Sequence, residues 1–452
     1  MSNSTPNILM FHCHDLGRYL GCYGRDIETP NIDAIAESGV LFENHYATAP
    51  QCSPSRGSRM TGRYPHVNGL IGLAHDGWML NADEVTLPAY LNRCGYETHL
   101  FGLQHVADDP DRLGFDRIHS GRSLSPAVLP TIQKVNRARN VAASLESFFE
   151  SGAFDAPFFI SAGVFEAHRL KPADGSGFDD PSYVSDDPDT IDPPAFLPDE
   201  PVVRKELAAM HGMIHAVDDA VGTITRALEA AGIDEETLVV FTTEHGIAFP
   251  RAKGSCYDPG IEAALIMQYP SVIDGGVRCE ELISNIDLVP TLLDLLEEPI
   301  PERIEGQSFL SLLTGKTYHP REQLFAEITW HDHYVPVRAI RTSEYKYLRS
   351  FWHLPRVYIP NDVYTSAVGR ELHDLQSGQR PYEELYDLNA DPHEQTNLID
   401  HPEYQHVRIQ LRERLGHWME QTDDPLLDGP VFPADYDEIL PEHTDWVCFA
   451  RA

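Results

Sequence analysis

The run NILMFHC, from Asn7 to Cys13, followed at once by polar His14 and Asp15, sets the reading of the rest of the chain. A short apolar run closed by polar residues fits a buried strand. In open α/β sheets, ligands collect just beyond the carboxyl ends of such strands. The same grammar repeats downstream. Val40 to Tyr46 leads into a loop carrying Cys52, and Thr98 to Gly102 delivers His105. Pro157 to Val164 ends at Glu166-Ala167-His168, and Thr237 to Thr242 ends at Thr243-Glu244-His245-Gly246. Ala263 to Gln268 continues the series. Helical patterns separate these runs: Thr29 to Ser38, with Thr29 as N-cap and Pro30 at the first helical position, then Leu87 to Arg93, Ile132 to Glu150, Val203 to Ala231 and Leu288 to Leu296. Alternating strands and helices predict an α/β fold, a doubly wound and largely parallel sheet flanked by helices.

Near residue 320 the pattern changes. Arg338 to Arg349 reads as a hairpin turning at Ser343-Glu344, followed by a strand near Glu384 to Tyr386 and an amphipathic helix from Tyr404 to Gln421. The expected division is a catalytic domain over 1–325 and a smaller α+β domain with an antiparallel sheet over 326–452. The Pro- and Asp-rich stretch from Lys171 to Pro201 reads as a long surface loop.

Among 452 residues the formal net charge is −36, which excludes a nucleic-acid binder and offers anionic membranes no basic face. No stretch approaches the roughly 18 apolar residues of a membrane span. Met1 to Pro6 carries no basic segment, Ile8 to Phe11 is too short for a signal-peptide core, and the seven cysteines lack paired spacing. A cytoplasmic protein with reduced thiols is expected.

The strand-end residues carry the chemistry. His14, Asp15, Glu244 and His245 bring two carboxylates and two imidazoles toward one divalent ion. That mixed donor set suits Zn²⁺ or Mn²⁺ at least as well as Ca²⁺, which prefers oxygen. Arg56 and Lys253 are cations suited to an oxyanion on the substrate. Together these residues indicate metal-assisted hydrolysis of an anionic ester. The pentapeptide Cys52-Ser53-Pro54-Ser55-Arg56 follows a Pro50 turn and reads as a loop entering a helix at Ser55 to Ser58. Taken alone, its cysteine reads as a buried structural thiol.

Several motifs in order change that reading: NILMFHCHDLG, CSPSRGSRMTGRYP, GYETHLFGLQH, FEAHR, TTEHG, KGSCYDPG and ELYDLNADPHEQTNL. Over nearly its full length the chain resembles the formylglycine-dependent sulfatases of the alkaline-phosphatase superfamily. Within them it is most like the N-sulfatase branch and its bacterial relatives, through GIAFP at Gly246 to Pro250, LPDEPVVRKELA at Leu197 to Ala208, and Trp330-His331-Asp332-His333.

The resemblance implies that a separate maturation enzyme oxidises Cys52 to formylglycine (3-oxoalanine). One hydroxyl of the hydrated aldehyde would attack sulfur, and the other would let the sulfated intermediate collapse. By the same resemblance His105 is the base for that collapse, His168 and Lys253 serve the leaving group and the sulfate oxygens, and Arg56 orients residue 52. His14, Asp15, Cys52, Glu244 and His245 fall on metal positions, with Ca²⁺ the family default and Mn²⁺ or Zn²⁺ suited to this chain's imidazoles.

Three residues depart from the family pattern. His14 and His245 stand where oxygen ligands are usual, and Leu103 replaces a sulfate-binding lysine. The carboxylate–histidine pair is similar to that of phosphonate monoester and phosphodiester hydrolases, which form the alternative reading; a non-catalytic binding homologue is the third. The expected substrate is a small sulfated molecule, on a sugar, with His75, Asp76, His331 and His333 around the pocket mouth. A homo-oligomer is compatible with this reading.

Overall fold

The computed structural model describes residues 5–119, 135–152, 154, 157–170 and 176–433. Its larger sheet contains β1 (Asn7–Cys13), β2 (Val40–Tyr46), β3 (Glu97–Gly102), β4 (Arg117–Ile118), β5 (Phe158–Gly163), β6 (Thr237–Thr243), β7 (Leu265–Gln268) and β8 (Val277–Ser284). Their order is β4-β3-β5-β1-β6-β7-β2-β8. Only β7 runs antiparallel to its neighbours, so the other strands send their carboxyl ends to one edge. Side chains alternate between the two faces of a strand and both faces are covered here, which explains the unbroken apolar run from Ile8 to Phe11 in β1. Leu9, Phe11 and Cys13 enter the core on one face, while Ile8 and Met10 enter the core on the other.

The principal helices are α1 (Pro30–Ser38), α2 (Cys52–Thr61), α3 (Leu87–Arg93), α4 (Ala138–Ser151), α5 (Pro201–Ala231), α6 (Leu288–Leu295) and α7 (Gln405–Gln421). The start expected for α4 at Ile132 lies outside the described residues.

Two sequence expectations need correction. Helix α2 opens at Cys52, one turn before the expected Ser55, and its first intrahelical bond runs from Ser55 N to Gln51 O at 3.1 Å. Pro54 is tolerated because first-turn amides have no intrahelical acceptor. The stretch read as a surface loop instead buries Phe178, Ile191, Phe196 and Leu197 in the core beneath α5. Its first residues, 171–175, lie outside the described part of the chain.

A second sheet follows, an antiparallel meander of β9 (Gln323–Trp330), β10 (Tyr334–Thr342), β11 (Tyr345–Ser350) and β12 (Glu383–Asp387). Its first strand starts just before the boundary expected at 325. Buried charges join it to the larger sheet. Lys346 Nζ lies 2.8 Å from Asp258 Oδ1 and 3.2 Å from Glu394 Oε1, and Arg341 Nε donates to both Asp258 oxygens at 3.1 Å.

Burial, with Asp258 adding to it and Lys346 opposing, pushes the Glu394 carboxyl from 4.5 up to about 7. The folded chain therefore holds a proton that the unfolded chain has released between those values. The stability this confers is full below about 4.5 and is lost as pH rises through about 7. Glu394→Gln keeps the acceptor for Asp258 N but cannot ionise. It is expected to be more stable than the parent by roughly 1–3 kcal/mol at about pH 8, with no gain at about pH 4. Denaturant melts at the two pH values check this; the same difference at both would contradict it.

Candidate active site

All the predicted strand-end residues reach the common edge of the larger sheet. His14 and Asp15 follow β1, His105 follows β3, His168 follows β5, and Glu244 and His245 follow β6. Cys52 is the first residue of α2, whose residues are all buried. Asp15 and His105 adopt left-handed backbone angles, with φ of +41° and +53°. Such strained positions cluster where a side chain must be aimed at a site.

Four ligand atoms, one each from His14, Asp15, Cys52 and Glu244, lie within 4.8 Å of one another. His14 Nδ1 is 2.6 Å from Glu244 Oε1, and His245 Nε2 is 3.3 Å from both Asp15 Oδ1 and Glu244 Oε1. The donor set is tested by what its nitrogens lack. His245 Nδ1 must donate to Gly246 O at 2.9 Å, because a carbonyl only accepts, so it is Nε2 that a neutral ring would offer as a lone pair. Nε2 of His245 and Nε2 of His14 are buried with no hydrogen-bond partner among the described residues. Buried orphans of this kind are costly, and a divalent cation satisfies them. The residues fit a divalent ion.

Arg56 fixes the cradle from behind. Its Nε donates to Glu244 Oε2, Nη1 to His12 Nδ1 at 2.8 Å and Nη2 to Cys13 O at 3.4 Å. His12 then donates from Nε2 to Ser161 Oγ at 3.1 Å. Although burial acts to raise it, Glu244 is held well below the usual carboxylate range by Arg56, then by His14 and His245. Burial likewise opposes ionisation of Asp15, but Lys253 and then His168 hold its carboxyl low. The Cys52 thiol moves the other way: burial, reinforced by Glu244, raises it well above its ordinary value.

Lys253 Nζ bridges two carboxylates, at 2.8 Å from Asp15 Oδ2 and 2.7 Å from Asp362 Oδ2. Burial works against its charge, but Asp15 and Asp362 keep the ammonium protonated far above its usual range. His168 Nδ1 donates to Arg169 O at 2.8 Å, leaving Nε2 4.0 Å from Asp15 Oδ2. Burial, then Lys253, lowers its pKa to about 3, so the ring is neutral near neutral pH. His105 shares a 4.8 Å neighbourhood with His14 and Cys52, and burial, then His75, lowers its pKa well below 6.5.

Of the residues expected at the mouth, His75 is the deepest in contact with the centre. It stacks on His105 at 5.2 Å, with Nδ1 3.1 Å from His105 Nε2. Asp76 is largely exposed beside it, 3.8 Å from His75 Nε2. His331 Nδ1 contacts Asp332 Oδ1 at 2.8 Å, and His333 packs against Tyr358 with ring centroids 6.3 Å apart. Sequence reasoning did not foresee Asp362, Asp332, Tyr358 or His12. Asp332 sits inside a quoted motif, yet only folding shows that it accepts from Tyr358 OH and Asn361 N.

A cation cradle beside a buried ammonium is suited to holding a small anionic group while its ester bond is broken, and that fits the class of hydrolases of anionic esters. Within that class the sulfatase family profile matches residues 6–298, so the chain belongs to the sulfatase family and is a sulfuric ester hydrolase. The profile for the C-terminal part of N-sulphoglucosamine sulphohydrolase matches residues 244–365. Human N-sulphoglucosamine sulphohydrolase is 29% identical across 94% of this chain and 92% of its own. A structure solved with its substrate D-glucosamine-2-N,6-O-disulfate superposes with a TM-score of 0.69 at 20% identity, over 93% of this chain and 98% of that one. Phosphonate monoester hydrolase of Agrobacterium radiobacter superposes with a TM-score of 0.70 at 22% identity, over 92% and 96%.

Proposed function

We propose that the protein hydrolyses a sulfate ester or N-sulfate on a sugar, using formylglycine made from Cys52 by a separate maturation enzyme, in the cytoplasm. The observation that carries this reading is the setting of Cys52. It heads a wholly buried helix, 3.9 Å from Asp15 Oδ1, with its thiol pushed far from ionisation. An un-ionised thiol is a poor nucleophile. A cysteine converted to an aldehyde, whose hydrate offers hydroxyls, explains why that residue type stands there.

His14, Asp15, Glu244, His245 and residue 52 would hold a divalent ion, which supplies Lewis acidity and positive charge at the reacting sulfuryl group. Two imidazoles favour Mn²⁺ or Zn²⁺ over the family's usual Ca²⁺. Two of the three Lys253 N–H groups are committed to Asp15 and Asp362, leaving one for a sulfuryl oxygen. His105, neutral and beside residue 52, takes a proton there. His168 presents Nε2 on the side where the leaving group departs, and His75, Asp76, His331 and His333 contact that group.

One observation favours a second reading, phosphonate monoester or phosphodiester hydrolysis. Glu244 and His245 form a carboxylate–imidazole pair, and fully buried Leu103 supplies no cation. Metal analysis of protein with confirmed conversion at residue 52, followed by a panel of aryl sulfates and bis-aryl phosphates, separates the two. The expected result is about one equivalent of Mn²⁺ or Zn²⁺ and a sulfate rate at least about tenfold the phosphate rate. Faster turnover of the bis-aryl phosphate overturns the sulfatase reading.

A further inference from the structure

Asp362 has no counterpart among the residues assigned above to the metal or the nucleophile. It comes from a short helix, Asn361–Tyr364, in the segment between β11 and β12. It is 5% exposed, and Ser176 Oγ donates to its carbonyl, tying it to the loop after His168. One oxygen, Oδ2, holds Lys253 at 2.7 Å, while Oδ1 is buried with no hydrogen-bond partner among the described residues. Atoms of Asp15, His168 and Asp362 lie within 4.8 Å of one another, so the carboxylate faces the same space as the histidine on the leaving-group side. Asp332, which accepts from the backbone N–H of Asn361, adds a second carboxylate beside the short helix that carries Asp362.

A buried carboxylate is an odd choice beside a substrate anion. Two like charges about 4 Å apart repel by about 4 kcal/mol at an effective dielectric of 20. The arrangement makes sense when the leaving group brings a donor that becomes a cation. Hydrolysis of an N-sulfate, R–NH–SO₃⁻ + H₂O → R–NH₃⁺ + SO₄²⁻, does this. The S–N bond breaks, the S–O bond forms, nitrogen keeps the bonding pair, and both water protons end on nitrogen. An O-sulfate releases a neutral alcohol and has no comparable need.

We propose that Asp362 is the specificity-determining residue of this site, its carboxylate accepting a hydrogen bond from the nitrogen of an N-sulfated amino sugar and then pairing with the ammonium formed. This rests on the sulfatase reading. The test uses full-length protein converted at residue 52 and compares kcat/KM on N-sulfoglucosamine and on an aryl sulfate, for parent and Asp362→Asn. Both values are expected to fall because Lys253 loses a partner, with the N-sulfate falling at least about tenfold further. An equal fall on both substrates overturns the proposal and leaves Asp362 as a holder of Lys253.

Calorimetry on the parent gives a second, fold-independent measure. Glucosamine is expected to bind at least about tenfold more tightly than N-acetylglucosamine, and equal binding overturns the proposal. A parent active on the aryl sulfate but inert to the N-sulfate sinks the role of Asp362 and spares the sulfatase reading. A parent inert to both sulfates but active on bis-aryl phosphate sinks both.

Discussion

Cys52→Ala is expected to lower kcat by at least about 10⁴-fold on any sulfate the parent turns over, because removing a covalent nucleophile leaves only binding and electrostatics. Cys52→Ser should be equally silent. Its single hydroxyl sits in the same place, but on the reading proposed above it lacks the second hydroxyl that an aldehyde hydrate offers, so a sulfated residue 52 would have no route of collapse. Both variants should stay folded, since each removes or replaces one atom at the start of α2. Thermal melts separate loss of chemistry from loss of fold. Turnover by Cys52→Ala within about tenfold of the parent contradicts a nucleophile at this position.

Arg56→Met is expected to cost about 3–5 kcal/mol of stability, the typical penalty for breaking a fully buried ion pair by removing one partner. The guanidinium is 0% exposed and serves Glu244, His12 and Cys13 O from three different nitrogens. Its removal strands the Glu244 carboxylate and leaves His12 Nδ1 without a donor. Arg56→Lys should recover little, because one compact ammonium cannot span three directions. Pairing Arg56→Met with Glu244→Gln should recover part of the loss, since the stranded charge goes with it. Urea midpoints of metal-free protein measure this. A single-variant loss below about 1 kcal/mol contradicts the role given to Arg56.

How much of this was legible in the sequence depends on how each residue earns its place. Strands β1, β5 and β6 announce themselves because both faces are covered and each carries an unbroken apolar run, Ile8 to Phe11, Phe158 to Ile160 and Leu238 to Phe241. Strand β8 escaped notice because its first half is an exposed edge, with Arg278, Glu280 and Glu281 interrupting any apolar run. Strand β9 was hidden by Glu327, a buried charge that looks out of place until His66 and Arg338 are seen beside it, at 2.8 Å and 3.1 Å. His14, Asp15, Glu244 and His245 were legible because each follows the end of a strand, so a local pattern fixed their common location. Asp362 ends nothing and follows no motif. It reaches Lys253 only through the packing of a segment more than a hundred residues away, and no local periodicity encodes that distance.

The burial of α2 also sets a clock. From Cys52 to Thr61 the folded chain exposes essentially nothing, and Cys52 itself is 2% accessible. The maturation enzyme proposed above, if it reads Cys52, Pro54 and Arg56 together, would have no handle once the fold has closed over them. On the formylglycine reading proposed above, oxidation and folding would compete for the same residues, and whichever is faster would decide the fate of each molecule. Rapid folding, ordinarily an advantage, would fill the cell with well-packed protein that never acquires its nucleophile.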